Sequence, residues 1–581
     1  MRYFRLLANA VAGGVLVSLY LAVLVLQLNP QVPAFSMTTL RWAGVVLALY
    51  VPYVTVALFF LLLGREVLTA RAIRPAWLSV RLLAWVGAAA AATAAVVTWA
   101  NLEAFQGMLT PGARIRMRDG AWLTSGCAAA LGVIAVARYS FDRRGSRAAA
   151  GLMLLTMFTS VAGPLWLRGP GETVVRPPVR WSQPAPVVQP TRVRVLAFDG
   201  ASLGFIRQRV AAGQLSNLAR VLDRGAIIDL ATPRPTEVVP VWVAAATGRM
   251  ATSTGVRSNW TYRVSEADVD RVDILPDYCF AYALVTQRFL LATEHTSASV
   301  QARTLWDILG DYRLTVGVVN WPLTAPARLT GPGYVLSDRF DEAVTSPLRL
   351  ADAGTGDPTT AVDIARGHFD RWQARPWHEV LTTFSRGEVE PIEVNRARWD
   401  RAYSDTAAEL EQQFAPRFTA VRYEGLDAFG HNYLRQAQPE LFGDPRWSVA
   451  IRPVLDRYYS YVDGEVGKAI RLMQPGDLLL VVSGFGMDPT PLSKRLLARA
   501  LGDRDTTGTH ESGPDGFLLA YGSQVAAGQF SRGALVDLAP TVLYYMGVPV
   551  ARDMDGYART DLFLPTYTSE HPMKYVASHE K

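Results

Sequence analysis

The hydrophobic pattern divides the chain into two textures. Five long apolar stretches, about Leu7–Leu28, Leu40–Leu63, Leu78–Ala100, Ala121–Ala137 and Ala149–Leu167, occupy the first third. Each approaches the ~20 residues an α-helix needs to cross a hydrocarbon core, the fourth being the shortest. Consecutive apolar runs with short connectors do not suit the buried helices of a soluble core. Further spans behind the first argue against a cleavable signal peptide. The pattern predicts a membrane domain of about five transmembrane helices over residues 1–167.

From Val193 the pattern changes. Short apolar runs at 193–200 (VRVLAFDG), Thr315–Asn320, Phe418–Tyr423, Leu478–Ser483 and Phe517–Tyr521 alternate with helical stretches, the first of them Phe205–Arg224 read as one amphipathic helix. Buried strands alternating with helices predict an α/β domain over 193–581 with a doubly wound, mostly parallel sheet, whose ligands gather at the carboxyl ends of the strands. Asp199 and Asp427 stand at two such ends. The regions from about Val264 to Arg303 and from Ala351 to Trp399 fit neither pattern and read as cap insertions. Between the two textures, residues 168–192 carry Pro177-Pro178, Pro184, Pro186 and Pro190, the composition of a semi-rigid extended linker.

Charge sharpens the membrane reading. The formal net charge is +7, but many N-terminal arginines lie in short connectors, where they report topology rather than nucleic-acid binding. Arg2 and Arg5 precede the first span, Arg65, Arg71 and Arg74 follow the second, and Arg138, Arg143, Arg144 and Arg147 follow the fourth. These loops are expected on the cytoplasmic side. With five spans, everything after Leu167 is then extracytoplasmic. Arg114, Arg116 and Arg118, between the third and fourth stretches, oppose that orientation. The two cysteines, Cys127 and Cys279, do not make a disulfide framework, since the first lies in an apolar run.

The chemistry centres on VRYEGLDAFGHNYL, residues 421–434, where Asp427 stands four residues before His431 at the end of an extended run. One carboxylate oxygen and one imidazole nitrogen delivered together suit a borderline metal such as zinc. Asp-x-x-x-His is a weak signal by itself.

Several ordered blocks give that pair a context. VLAFDG, RPTEVVPVWVAAATGR, VGVVNWP, LDAFGH, VVSGFGM, GTHESGPDGFLLAYG and LAPTVLYYMGVPVARDMDG follow one another between Val193 and Phe563. Together they resemble the alkaline phosphatase superfamily in its type I phosphodiesterase/nucleotide pyrophosphatase branch. The resemblance implies a metal-dependent phosphoester hydrolase fold in which two metals, usually zinc, clamp a phosphoester and activate a Ser or Thr nucleophile. It places Asp427, His431 and His510 at one metal site and Asp199 at the second. There the chain departs from the family, whose Asp-His pair reads Gly484 and Phe485. The nucleophile position reads Val238, which has no hydroxyl; Thr236, two residues earlier, is the nearest substitute. Asn259 stands where the family binds a phosphoryl oxygen, and Thr254-Gly255 replaces its His-Gly. Glu511 and Asp488 are candidate substitute ligands or bases, while Asp463 falls on a shared helix and reads as structural.

These departures leave three functions open. The first is a membrane-anchored extracytoplasmic phosphodiesterase using one zinc or other divalent ion and an activated water. Its phosphoester would be a nucleotide or lipid-linked. The second is an inactive relative that binds a ligand or partner through the same metal. The third, a transferase of envelope lipid headgroups, needs a hydroxyl nucleophile, and Val238 counts against it.

Overall fold

The computed structural model describes residues 1–69, 76–140, 147–171, 191–265, 271–276, 278–346, 354–381, 389, 391–443, 453–502 and 506–580. Most of the Pro-rich linker (172–190), Arg71, Arg74, Arg143 and Arg144, and parts of both regions read as caps lie outside these residues. The chain forms two compact units, Met1–Arg176 with Trp260–Glu294, and Pro177–Asn259 with His295–Lys581.

The first unit contains five helices, α1 Arg2–Gln27, α2 Met37–Thr69, α3 Val80–Ala104, α4 Pro111–Ser140 and α5 Arg147–Arg168. All five are long and apolar enough to cross a membrane. The fourth helix corrects the sequence reading, because it starts at Pro111 rather than Ala121. Arg114, Arg116 and Arg118 therefore belong to its first turns and not to a loop. Ala113, Met117 and Ala121 are buried while Arg114 and Arg118 are exposed. Arg114 and Arg118 thus ride the outer side of the first turns of the helix, with Arg116 half-buried between them. At the end of α5, buried Arg168 donates to the carbonyls of Leu26, Asn29 and Val32. The guanidinium thus ties the end of α5 to the end of α1 and the segment that follows it. Of the region expected as a first cap, the strand Trp260–Arg263 pairs antiparallel with Leu291–Glu294. Its connection packs on the ends of α1 and α2 through Val272, Leu284 and Leu290. Asn29 fixes it there, donating to Ile274 O at 2.7 Å and accepting from Asp273 N and Ile274 N.

The second unit is built on one ten-stranded sheet among the described residues. Its strands are β1 Val193–Phe198, β2 Ala226–Ala231, β3 Val316–Trp321, β4 Gly333–Ser337, β5 Gly356–Asp357, β6 Phe418–Tyr423, β7 Leu478–Phe485, β8 Asp515–Tyr521, β9 Gly528–Gln529 and β10 Gly533–Ala534. The order is β9-β2-β8-β7-β1-β6-β3-β4-β5, with β10 also beside β2. The pairs are parallel except those of β8 with β2 and β7 and that of β4 with β5. Side-chain alternation sends Leu196 and Phe198 of β1 into one core and Val193, Val195 and Ala197 into the other. A strand buried on both faces reads as a continuous apolar run, which is how these strands appear in the sequence. The expected helix Phe205–Arg224 is two helices, Leu203–Ala211 and Ser216–Arg224. Between them Gly213 takes φ +72°, a left-handed conformation that ends a helix readily at glycine.

Candidate metal centre

The helix Gly425–Ala437 follows β6 after a single intervening residue. Leu426, Phe429, Gly430, Tyr433, Leu434 and Ala437 form its buried face at helical spacing. Asp427 and His431, four residues apart, are left on its flank, one turn above the other. Asp400 anchors the start of the helix: its carboxylate accepts from Glu424 N and Gly425 N, both at 3.0 Å, and from the Tyr458 hydroxyl at 2.6 Å.

His510 arrives from a different part of the chain. It follows the two-residue strand Gly508–Thr509, which pairs antiparallel with Asp488–Pro489. A side chain on Gly508 would collide with the Gly430 carbonyl, so glycine permits this strand to lie against the Asp427/His431 helix. One ligand atom from each of Asp427, His431 and His510 then falls within 4.8 Å of the others. The sequence resemblance placed these three residues together, and the fold brings them together.

The donor set fits a divalent ion. His431 Nδ1 lies 2.7 Å from Gly508 O, and His510 Nδ1 lies 3.1 Å from Thr236 O. Each ring nitrogen donating to a carbonyl leaves its Nε2 lone pair for a metal, the arrangement that orients metal-bound histidines. Asp427 Oδ1 is buried and has no hydrogen-bond partner. The other oxygen, Oδ2, lies 3.6 Å from His431 Nε2, and a cation bound between the three side chains would satisfy the carboxylate. Burial pushes the His510 imidazole below its ordinary pKa, with Asp427 opposing, and a neutral ring is the form that coordinates.

Asp199 is not part of that cluster. It is buried at the end of β1, and both of its oxygens are occupied. Arg422 Nε lies 3.1 and 3.2 Å from them, Arg422 Nη2 lies 2.5 Å from Oδ2, and Trp242 Nε1 donates to Oδ1 at 2.5 Å. Burial pushes the Asp199 carboxyl up to about 7, with Arg422 pulling the other way. Burial would lower the Arg422 guanidinium, but Asp199 and Glu424 outweigh it and hold the group charged. The sequence reading missed Arg422. Its one signal is a charge inside the otherwise apolar, fully buried strand FTAVRY, where an unpaired charge does not survive.

At the remaining second-site positions, Phe485 is fully buried in the core and its ring centroid lies 4.8 Å from that of His510. Gly484 has no room for a side chain, because a Cβ would collide with Val241. Val238 begins the helix Val238–Thr247. Thr236 is buried, with its carbonyl on His510 and its hydroxyl accepting from Arg234 Nη1 at 3.2 Å. Asn259 accepts from Val239 N at 2.9 Å, and its own N–H donates to the Glu237 carboxylate. Its amide oxygen therefore caps the helix at which a phosphoryl group would be expected. Glu511 pairs with Lys494. Asp488 is half-buried, its pKa raised by burial and lowered in part by Arg234. Asp463 accepts from Leu218 N at 2.7 Å and Asn217 Nδ2 at 2.8 Å, fixing the start of the helix Ser216–Arg224.

The family model for type I phosphodiesterase/nucleotide pyrophosphatase matches residues 193–522. Solved structures with a similar fold include murine ectonucleotide pyrophosphatase/phosphodiesterase 5, at 12% identity and TM-score 0.38 over 64% of this chain and 100% of that one. The human form of that protein aligns at 11% identity and TM-score 0.37 over 64% of this chain and 100% of its own. Alkaline phosphatase PafA aligns at 12% identity and TM-score 0.42, covering 65% of this chain and 100% of that one. No curated protein sequence matches the chain.

Proposed function

The chain belongs to the type I phosphodiesterase/nucleotide pyrophosphatase family, and from that premise we propose that it is a membrane-anchored phosphoester hydrolase working with a single divalent ion, zinc in the first instance. The observation that carries the reading is the convergence of Asp427, His431 and His510, from two distant segments, with the Asp427 Oδ1 atom unpartnered. When bound there, the ion would polarise a phosphoryl oxygen and bring the pKa of a coordinated water toward ~7.

The chain's own residues set the rest of the chemistry. Gly508 O and Thr236 O fix the two imidazoles by their Nδ1 atoms. Asp400 fixes the helix that carries Asp427 and His431. Arg234 bridges Thr236 Oγ1, the Gly513 carbonyl and Asp515, and its part-exposed guanidinium contributes positive charge toward an anionic substrate. Val238 offers no oxygen nucleophile, and the Thr236 hydroxyl is buried as an acceptor for Arg234. Water is therefore the attacking group in this reading, and no phosphorylated enzyme forms. Nucleotides and lipid-linked phosphodiesters both meet its requirement of an ester oxygen and a phosphoryl anion.

The test is turnover of bis-p-nitrophenyl phosphate by the purified full-length chain, with bound metal measured alongside. Activity lost together with the metal in His431→Ala supports the hydrolase. Val238 and buried Phe485 favour a second reading, a phosphoester-binding relative without turnover. Metal-dependent binding of a nucleotide or phosphodiester with no hydrolysis would establish it in place of the first.

Five helices long and apolar enough to cross a membrane, with arginine-rich connectors after the second and fourth, support a reading in which the N-terminus is cytoplasmic and the phosphodiesterase-like domain extracytoplasmic.

A further inference from the structure

We infer that Arg422 takes the place of the second metal ion, so that the centre is built for one exchangeable cation and one permanent one. This rests on the single-ion hydrolase reading above and extends it to the neighbouring half of the cleft.

The argument starts from the contrast between two aspartates. Asp427 keeps an unpartnered buried oxygen, as a ligand awaiting a cation does. Asp199, at the end of the adjacent strand, keeps none. Its two oxygens receive the Arg422 guanidinium side-on, through Nε and Nη2, and the indole N–H of Trp242. A planar guanidinium matches a carboxylate in this two-pronged way and is never deprotonated in a protein.

The cation is also held from behind. Arg422 Nη1 donates to Glu424 Oε1 at 2.7 Å and to Asn320 O at 3.4 Å, and Glu424 is paired in turn with Arg396 at 2.7 Å. The four side chains alternate in charge: Asp199, Arg422, Glu424, Arg396. An ion entering beside Asp199 would have to displace Arg422 and leave its charge buried without its partner, which is strongly unfavourable.

Nothing at the other second-site positions offsets that cost. Phe485 presents a ring without a donor atom and is packed in the core. Gly484 is closed to any side chain by Val241. The second-site substitutions and Arg422 thus form one consistent change. Ligands for a divalent ion have gone, and a built-in monovalent cation neutralises the one that remains. Arg422 is a positioning residue, holding Asp199 and the Trp242 ring beside the cleft.

The test is metal stoichiometry in the full-length chain. Native mass spectrometry after equilibration with zinc is expected to give one ion in the wild type, one in Asp199→Asn and none in His431→Ala. A manganese-loaded sample needs no variant. Its paramagnetic resonance spectrum is expected to be that of an isolated ion, without the coupling of a pair ~3.5–4 Å apart. Two ions per chain, a coupled manganese pair, or loss of the ion in a folded Asp199→Asn protein would overturn the assignment of Arg422 and leave the hydrolase reading standing. A wild type that binds no ion overturns the hydrolase reading itself, and this inference with it.

Discussion

Arg422 meets Asp199 through Nε and Nη2, with the shortest contact at 2.5 Å and both side chains buried. The pair joins neighbouring strands β6 and β1 at the edge where the candidate metal centre lies. It makes a local electrostatic bond in a place where the family resemblance implies an ion.

Removing one partner of such a pair is expected to cost ~3–5 kcal/mol, because it leaves a buried charge uncompensated. Arg422→Ala should therefore lower the urea midpoint of the second unit's unfolding markedly. Adding Asp199→Asn should recover much of the loss by removing the orphaned charge. A double variant no more stable than Arg422→Ala would contradict the pairing.

The collision at position 484 gives a second expectation. In Gly484→Ala the new methyl meets Val241, which is fully buried in the helix behind it. Overpacking of this kind costs typically ~1–3 kcal/mol. The double variant Gly484→Ala/Val241→Ala should be more stable than the sum of the two single changes predicts, a coupling that denaturation of all four proteins would measure.

Gly508 bears on metal affinity. In Gly508→Val the side chain collides with Gly430 O and pushes away the carbonyl that orients His431. Loss of such an orienting contact typically weakens metal binding 10–100-fold. Competition with a chelating dye should show this weakening, while far-ultraviolet circular dichroism stays that of the wild type.

Asp341 predicts a pH dependence of stability. Burial and then Glu424 push its carboxyl up to about 7, with Arg396 opposing. A folded value raised above the unfolded ~3.9 means that the native state holds its proton more tightly. The resulting stabilisation is complete below about pH 4 and is lost as pH rises through about 7. Asp341→Asn cannot ionise, so its thermal midpoint should fall less than that of the wild type between pH 4 and 8. Parallel curves for the two proteins would contradict the shift.

Topology supplies a last expectation. A reporter that is active only outside the cytoplasm, fused after Gln189, should be active, and the same reporter fused in the α2–α3 connection should be silent. The reverse pattern would place the phosphodiesterase-like domain in the cytoplasm.

Much of this was legible in the chain, and the exceptions have physical causes. The five apolar helices were visible because a hydrocarbon core demands about twenty consecutive apolar residues whatever their neighbours. The start of α4 was not visible. Arg114 and Arg118 look like loop residues until the helix is seen to turn them outward while Ala113 and Met117 face in. The break at Gly213 was hidden because apolar residues continue at helical spacing on both sides of it.

The same division runs through the site. The sequence by itself determined the five long apolar helices, the alternating strand–helix domain and the four-residue Asp427/His431 spacing, since all three follow from local pattern. That pattern put the pair at a turn ending an extended run, whereas the structure puts it on one flank of the helix Gly425–Ala437. Ordered motifs added His510 by resemblance. Only the tertiary structure decided what became of Asp199. Its partner Arg422 lies more than two hundred residues away on a strand that reads as ordinary buried β. Such a pairing is set by strand order and side-chain direction, which no local pattern records. The packing that puts Arg422 against Asp199, Phe485 beside His510 and Val241 over Gly484 is what makes the second half of the cleft differ from the first.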